Sequence, residues 1–496
     1  MQEIIKLISD TQNKYLLSKE KDYIKNNSQF FTPDDIAYKL VSTLDLSQFK
    51  NNTNISILEP SAGCGMLILP LISRIKNELP NVTTITLDAY EYDSEVAYIL
   101  RKNIKLIKRY FNKIIIKTRV INKNFIIHNS NKWSKKSSGK YDIVISNPPY
   151  KKINQTSIES TIMKEIVYGQ PNIYTLFIAM SLKLLNHNGI CAILSPRNYL
   201  TGEYSNLLRK FIFNNYSIIH IHSFKRGLLF PSVNQEVVIT TYMNRKNVEN
   251  VNISFNDDVS FKTSFNSILL DNVSFSVGIP KSINDINTLK NFSLLSHSLY
   301  DLGFNINVGP IVQFRNSDDL NKNTFNKNFA PLLIAPDIQH NNKIIYWERE
   351  NKRKTHNKSI SITNKHLIKN FNYLLLRKVS AKNDDSLIVC SVYRNSFFDS
   401  PLLGLDNNLL YFSKLNNKSL TLYECYGLYC YINSKQFLSL YSIINGTHTI
   451  NVTDFSKIKF PSHDQLITLG KCILNENSYT RETCTHLVAT HLYLIV

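Results

Sequence analysis

The chain has 496 residues, 58 Lys+Arg against 38 Asp+Glu, a net charge of +20 and an isoelectric point near 9.4. Its 43% apolar content can fill the cores of roughly two to four domains of about 100–200 residues each, which excludes collagen-like, mucin-like and globally disordered chains. No apolar stretch approaches the ~18–20 residues of a membrane span, and the N-terminal segment mixes charges through its apolar positions, so a soluble cytoplasmic protein with no membrane partner is expected.

In chain order, the first 25 residues read as a charged helix, broken by Gln29-Phe30-Phe31-Thr32-Pro33-Asp34-Asp35. A new helix follows from about Ile36, with Thr32 as its expected N-cap and Pro33 at the first helical position. From residue 55 strands and helices alternate: strand Ile55–Glu59, helix Met66–Leu79, strand Thr84–Tyr92, helix Glu95–Tyr110, strands Thr118–Ile121 and Tyr141–Ser146. Helix Ile173–Leu185, strand Gly189–Ser195, a helix near 203–214 and strands near 216–224 and 236–243 continue the pattern. Such alternation implies an α/β domain with a parallel sheet, antiparallel at one edge, and a ligand at the carboxyl ends of its strands. Beyond about 245 short β-rich runs with polar interruptions take over, such as Pro331–Ile338, Lys343–Trp347 and Asp385–Tyr393, before a closing helix after about 463 and a short apolar tail. The expected division is therefore 1–245 and 246–496.

The charge, with 27 Tyr and 26 Phe, suits a polyanion held by phosphate contacts and aromatic stacking, although compositional bias would also raise Lys. Cysteines 64, 191, 390, 425, 430, 472 and 484 form no Cys-x-x-Cys pair, so they are expected to be reduced, mostly buried and without metal.

Two constellations carry chemistry. Ile57-Leu58-Glu59-Pro60-Ser61-Ala62-Gly63-Cys64-Gly65 places two glycines where a strand turns into a helix whose free N–H groups can meet a ligand. An ordinary strand-to-helix turn reads the same way, and the third glycine of the dinucleotide fingerprint is missing. Glu91 ends the next strand, where an acid can accept both hydroxyls of a ribose, or simply face solvent. The second constellation, Tyr141-Asp142-Ile143-Val144-Ile145-Ser146-Asn147-Pro148-Pro149-Tyr150, is more specific. The Asn147 side chain and the Pro148 carbonyl are two acceptors suited to one exocyclic amine, Pro149 helps fix the extended turn, and the Tyr150 ring can stack on a planar base.

On these residues the chain resembles the S-adenosylmethionine-dependent amino-group methyltransferases, and within them the TaqI-like DNA adenine-N6 enzymes of type II restriction–modification systems. The resemblance implies a Rossmann-like S-adenosylmethionine-dependent methyltransferase domain followed by a mixed α+β, β-rich DNA target-recognition domain. It implies that Phe31, Thr32 and Pro33 hold the methionine end of S-adenosylmethionine, that Glu59, Pro60, Ser61, Ala62, Gly63 and Gly65 form its glycine loop, and that Glu91 takes its ribose. Asn124 and Phe125 would contact its adenine, with Asn124 standing where the family usually has Asp, and Asn147 would border both cofactor and substrate. Asn147, Pro148, Pro149 and Tyr150 would be the catalytic tetrad, and Phe230, in Leu229-Phe230-Pro231-Ser232, a second ring against a flipped base. Asn307–Arg315, Pro331–Pro336 and Gly446–Asp454 resemble recognition-region segments of the PstI and BsuBI kind.

The implied reaction is direct transfer of the sulfonium methyl to the adenine amino nitrogen of double-stranded DNA, with the base flipped out of the stack. It needs no metal and no cysteine nucleophile. Lys343, Arg349, Lys352, Arg353, Lys354, Arg377, Lys378 and Lys382 are candidate phosphate contacts. A monomer is expected, and the cognate endonuclease would be a separate protein that shares the recognition site without needing to bind. Alternatives are a type I modification subunit, an RNA-adenine or protein-glutamine methyltransferase with the same tetrad, and a catalytically inactive DNA-binding module.

Overall fold

The computed structural model describes all residues except 27–30, 136–138, 225–235, 257, 348–356, 380–386, 446–448 and 495–496. It divides into two compact units, Met1–Ser282 and Ile283–Val496.

Among the described residues the first unit is built on a nine-stranded sheet: β1 (Asn54–Glu59), β2 (Thr84–Tyr90), β3 (Ile115–Ile121), β4 (Tyr141–Ser146), β5 (Leu185–Pro196), β6 (Ser217–Ser223), β7 (Val237–Met243), β8 (Asn250–Phe255) and β9 (Val259–Ser264). Their spatial order is β3-β2-β1-β4-β5-β7-β6-β8-β9. β1 to β5 pair in parallel, and β7 runs antiparallel between β5 and β6. The central strand β4 is buried at every position but Asp142, as expected of a parallel strand covered on both faces, and its Ile143-Val144-Ile145 centre reads as a continuous hydrophobic run. The chain winds outward one way from β1 and the other way from β4. The crevice between their carboxyl ends is therefore the switch point where a ligand belongs. Ser56 donates from N–H (2.8 Å) and Oγ (2.6 Å) to the Asp142 carboxylate and so locks these two strands together.

The expected strands and helices of this unit are present with shifted ends, and two expectations are corrected. The helix after the break spans Asp34–Ser42 with extended Pro33 (ψ 156°) as its N-cap residue. Thr32 therefore does not cap it and Pro33 is not its first helical residue. The first unit also runs past 245: β8 pairs in parallel with β6, and β9 pairs with β8, so 250–264 extend the first sheet and the division falls at 282/283.

The second unit holds a four-stranded antiparallel sheet in the order Phe304–Val308, Leu409–Lys414, Tyr373–Arg377, Cys390–Tyr393, and a mixed five-stranded sheet centred on Phe329–Leu333. It is more helical than its sequence suggests, with helices at Leu422–Asn433, Lys435–Ile444, His463–Glu476 and Arg481–Leu492. The residues read as a short apolar tail therefore begin with a helix. All seven cysteines are free, and Cys472 alone is not fully buried. Among the described residues no helix is long and apolar enough to cross a membrane.

Candidate active site

β1 ends at Glu59 and the chain turns sharply through Pro60–Gly65. Gly63 and Gly65 sit at φ +52° and +88°. A Cβ on Gly63 would stand 3.2 Å from the Phe31 ring and one on Gly65 2.9 Å from Leu100, so this turn requires glycine. It is tied down by the Ala62 N–H donating to the Tyr90 carbonyl (2.8 Å) and by Asn103 Nδ2 donating to the Cys64 carbonyl (2.9 Å).

Glu91, beyond the end of β2, accepts the N–H groups of Gly63 and Asp93, each at 2.9 Å. Burial pushes its carboxyl up to about 7, although those two N–H groups pull the other way. Burial, reinforced by the charge of Glu91, also holds the Glu59 carboxyl well above the ordinary range. A carboxyl raised on folding stays protonated in the native state while the unfolded chain is already ionised. Its contribution therefore favours folding at low pH and declines as pH rises from about 4.5 to about 7. Thermal melts of the protein and of Glu91→Gln between pH 5 and 8 should show the variant gaining several degrees relative to the parent over that window. Parallel pH profiles would refute the assignment.

β4 delivers Asn147 beside this turn. The Asn147 side chain is 8% exposed, and its Nδ2 donates to Thr32 Oγ1 (3.1 Å) while its Oδ1 accepts from the Tyr150 hydroxyl (2.9 Å). Tyr150 also approaches the Leu194 carbonyl on β5 at 3.2 Å. Thr32 thus fixes which end of the amide is the acceptor, a role that replaces the expected helix cap. Ser61 joins the two constellations: its hydroxyl lies 2.9 Å from Ser146 Oγ and donates to the Asn147 carbonyl at 3.0 Å.

Two cavities open here. The larger, about 540 Å³, is lined by Phe31, Pro60, Ser61, Gly63, Glu91, Asn124, Phe125, Asn147, Pro148 and Pro149 among others. The smaller, about 30 Å³, is lined by Phe31, Thr32, Glu59, Ser61, Ala62, Gly63 and Asn147 together with Gln12. Of the expected site residues, Pro33, Gly65 and Tyr150 line neither; Gly65 shapes the turn and Tyr150 reaches the site through Asn147. Phe230 lies outside the described residues. Asn124 caps the short helix Phe125–His128 by accepting the Ile127 N–H at 3.1 Å, and its Nδ2 donates to Glu159 Oε1 at 2.8 Å. Glu159 and Gln12 escaped sequence reasoning: both reach the cavity walls from helices that carry no motif, and only the capping Ser157 marks the helix of Glu159.

In the second unit, Arg377 Nε donates to the Ile338 carbonyl at 2.6 Å, so this candidate phosphate contact braces neighbouring strands. Arg349, Lys352, Arg353, Lys354 and Lys382 lie outside the described residues, as do 446–448 of the third recognition-like segment.

The first unit is therefore a Rossmann-like, doubly wound α/β domain with a ligand-sized crevice at the switch point of its sheet. Residues 75–230 match the model of the Eco57I restriction-modification methylase family. The chain is similar to the type II methyltransferase M.BsuBI of Bacillus subtilis, with 28% identity over 486 residues that cover 91% of each chain. M.PstI of Providencia stuartii is 26% identical over 425 residues, 83% of each chain. The cryo-EM structure of the DrdV–DNA complex shares the fold with a TM-score of 0.52 at 10% identity, covering 95% of this chain and 59% of that one. The resemblance to methyltransferases of the PstI and BsuBI kind is borne out.

Proposed function

We propose that the chain is a DNA methyltransferase that modifies the N6 amino group of adenine in double-stranded DNA, as the modification enzyme of a type II restriction–modification system. The observation that carries this reading is the position of Asn147: an oriented amide acceptor at the end of β4, bonded through Ser61 to the glycine turn and through its side chain to Tyr150.

The walls fit S-adenosylmethionine. A 540 Å³ cavity is of the size that small-molecule ligands occupy, and Glu59 presents a buried carboxyl oxygen with no protein partner. Glu91 accepts the ribose hydroxyls. Both ends of the Asn124 amide are engaged by protein groups, so Glu159 beside it supplies the acceptor for the cofactor's adenine amine, and Phe125 packs against that ring. Phe31, Thr32 and Pro33 close the methionine end. When bound, S-adenosylmethionine supplies an electrophilic methyl group. Asn147 Oδ1 and the Pro148 carbonyl accept the two N–H groups of the target amine, which favours a tetrahedral nitrogen and stabilises the positive charge developing there. Pro149 holds the turn extended, and Tyr150, with Phe230, stacks on the flipped base to offset the few kcal/mol of unstacking. Residues 283–496 read the DNA target. The protein acts as a monomer, and its cognate endonuclease shares the site as a separate chain.

Tyr150 provides a test with two arms. Tyr150→Phe keeps the ring and removes the hydroxyl that occupies Asn147 Oδ1, and should retain activity within about threefold. Tyr150→Ala should weaken stacking by about 1–3 kcal/mol, read as lost fluorescence enhancement of 2-aminopurine at the target position. Equal loss in both variants would remove the stacking role. The reading as a whole is tested by incubating the protein with labelled S-adenosylmethionine and unmethylated DNA and identifying the modified nucleoside. N6-methyladenine is expected; label only in RNA or protein would overturn the substrate.

A further inference from the structure

The helix Gln2–Leu17 buries one stripe, Ile8, Gln12 and Tyr15, at the spacing of a single helical face. A glutamine in the middle of that stripe needs an explanation. Its side chain is 8% exposed, and its Oε1 has no hydrogen-bond partner. Glu59, 1% exposed, likewise has a partnerless Oε2. Both residues line the same 30 Å³ cavity, beside Phe31, Thr32 and Asn147. The helix is held there by the Tyr15 hydroxyl, which donates to Asp93 Oδ2 at 2.9 Å, and by edge-on contact of the Tyr15 and Phe31 rings at 5.8 Å.

Two buried, unpartnered oxygens facing one small space are costly unless a donor reaches both, and a cation placed there would also hold the Glu59 carboxyl in its ionised, accepting form. A hydroxyl has one hydrogen to give, whereas an ammonium group has three and accepts nothing. The adjoining larger cavity shares Phe31, Ser61, Gly63 and Asn147 with this one. A ligand seated in the larger cavity can therefore place its end group in the smaller. We infer that Gln12 is a cofactor-positioning residue: its Oε1, with Glu59 Oε2, receives the α-ammonium group of the methionine end of S-adenosylmethionine. This rests on the cofactor reading above and adds to it a residue of the N-terminal helix, outside the glycine turn and the catalytic tetrad. The competing account is that one or two ordered waters satisfy both oxygens, since the volume exceeds the roughly 10–15 Å³ a water needs. Water would leave Gln12 indifferent to which ligand is bound.

The test uses that difference. Calorimetric titrations of the full chain, of Gln12→Leu and of Gln12→Met are run with two ligands. S-adenosylhomocysteine carries the ammonium, whereas 5′-methylthioadenosine keeps the adenosine and thioether but lacks the amino-acid end. Both variants should bind S-adenosylhomocysteine about tenfold or more weakly, as expected for a lost hydrogen bond to a charged group, with methylthioadenosine binding unchanged within twofold. Retained methylthioadenosine binding also reports a folded site, and the near-isosteric Met variant gives the answer if Leu unfolds the protein. Unchanged S-adenosylhomocysteine affinity, or equal weakening of both ligands in both variants, overturns the assignment. If the parent chain binds neither ligand, the cofactor reading itself fails and takes this inference with it.

Discussion

Asn147→Ala should slow DNA methylation by about 10²–10³-fold, the usual consequence of deleting one group aimed at charge that develops in the transition state, while cofactor affinity changes only a few-fold. The asymmetry follows from the geometry. Asn147 touches both cavities, but the glycine turn proposed to hold the cofactor is itself fixed independently by Tyr90, Glu91 and Asn103. Ser61 bonds to the backbone carbonyl of Asn147, which alanine retains. Single-turnover rates and calorimetry on the same variant separate the two effects. A rate loss below tenfold, or a matching loss of cofactor binding, would remove Asn147 from the chemistry.

Arg197→Ala should destabilise the first unit by about 3–5 kcal/mol, the cost of stranding one member of a buried ion pair. The side chains of Arg197 and Glu236 are 3% and 2% exposed and in direct contact, and Lys281 approaches the other carboxylate oxygen at 3.3 Å. The Arg197 N–H also donates to the Glu236 carbonyl at 2.9 Å. The pair clamps the chain just beyond β5, three residues from the Leu194 carbonyl that receives the Tyr150 hydroxyl. Neither charged partner lines a cavity. The variant should therefore show a lower denaturation midpoint with cofactor affinity preserved at low denaturant. A midpoint shift worth less than about 1 kcal/mol would mean that Lys281 or solvent compensates the stranded carboxylate.

Strands β1 and β4 were legible to within a residue because each is an apolar run stopped by an unmistakable turn, Glu59-Pro60 in one and Asn147-Pro148-Pro149 in the other. The position of the Asn147–Tyr150 segment at the end of β4 was legible for the same reason: its residues are contiguous. What stayed hidden depends on long-range contact. Thr32 has the sequence signature of a helix cap, yet its hydroxyl goes to Asn147, more than a hundred residues away, and the helix starts after Pro33 instead. Gln12 and Glu159 lie on helices whose sequence carries no sign that these two side chains face a cavity. Helix Leu422–Asn433 is buried on every side from Glu424 onwards, so it lacks the polar face that reveals a helical period. β8 begins by alternating exposed with buried positions and β9 alternates half-buried with exposed ones, in a stretch rich in Asn and Ser, and their polar faces made the end of the first unit read as the start of the second.

The burial of the cysteines bears on handling and labelling. Burial raises the thiols of Cys191, Cys390 and Cys425 far above the range where thiolate forms, and that of Cys64 to about 12. Electrophiles and oxidants react with thiolate, so these positions are chemically silent in the folded chain. Cys472 is the accessible exception, with its sulfur 3.4 Å from His491 Nε2. A maleimide dye added to the native protein should therefore attach once, on the helix His463–Glu476, giving a single optical reporter in the second unit without removing any of the other six cysteines.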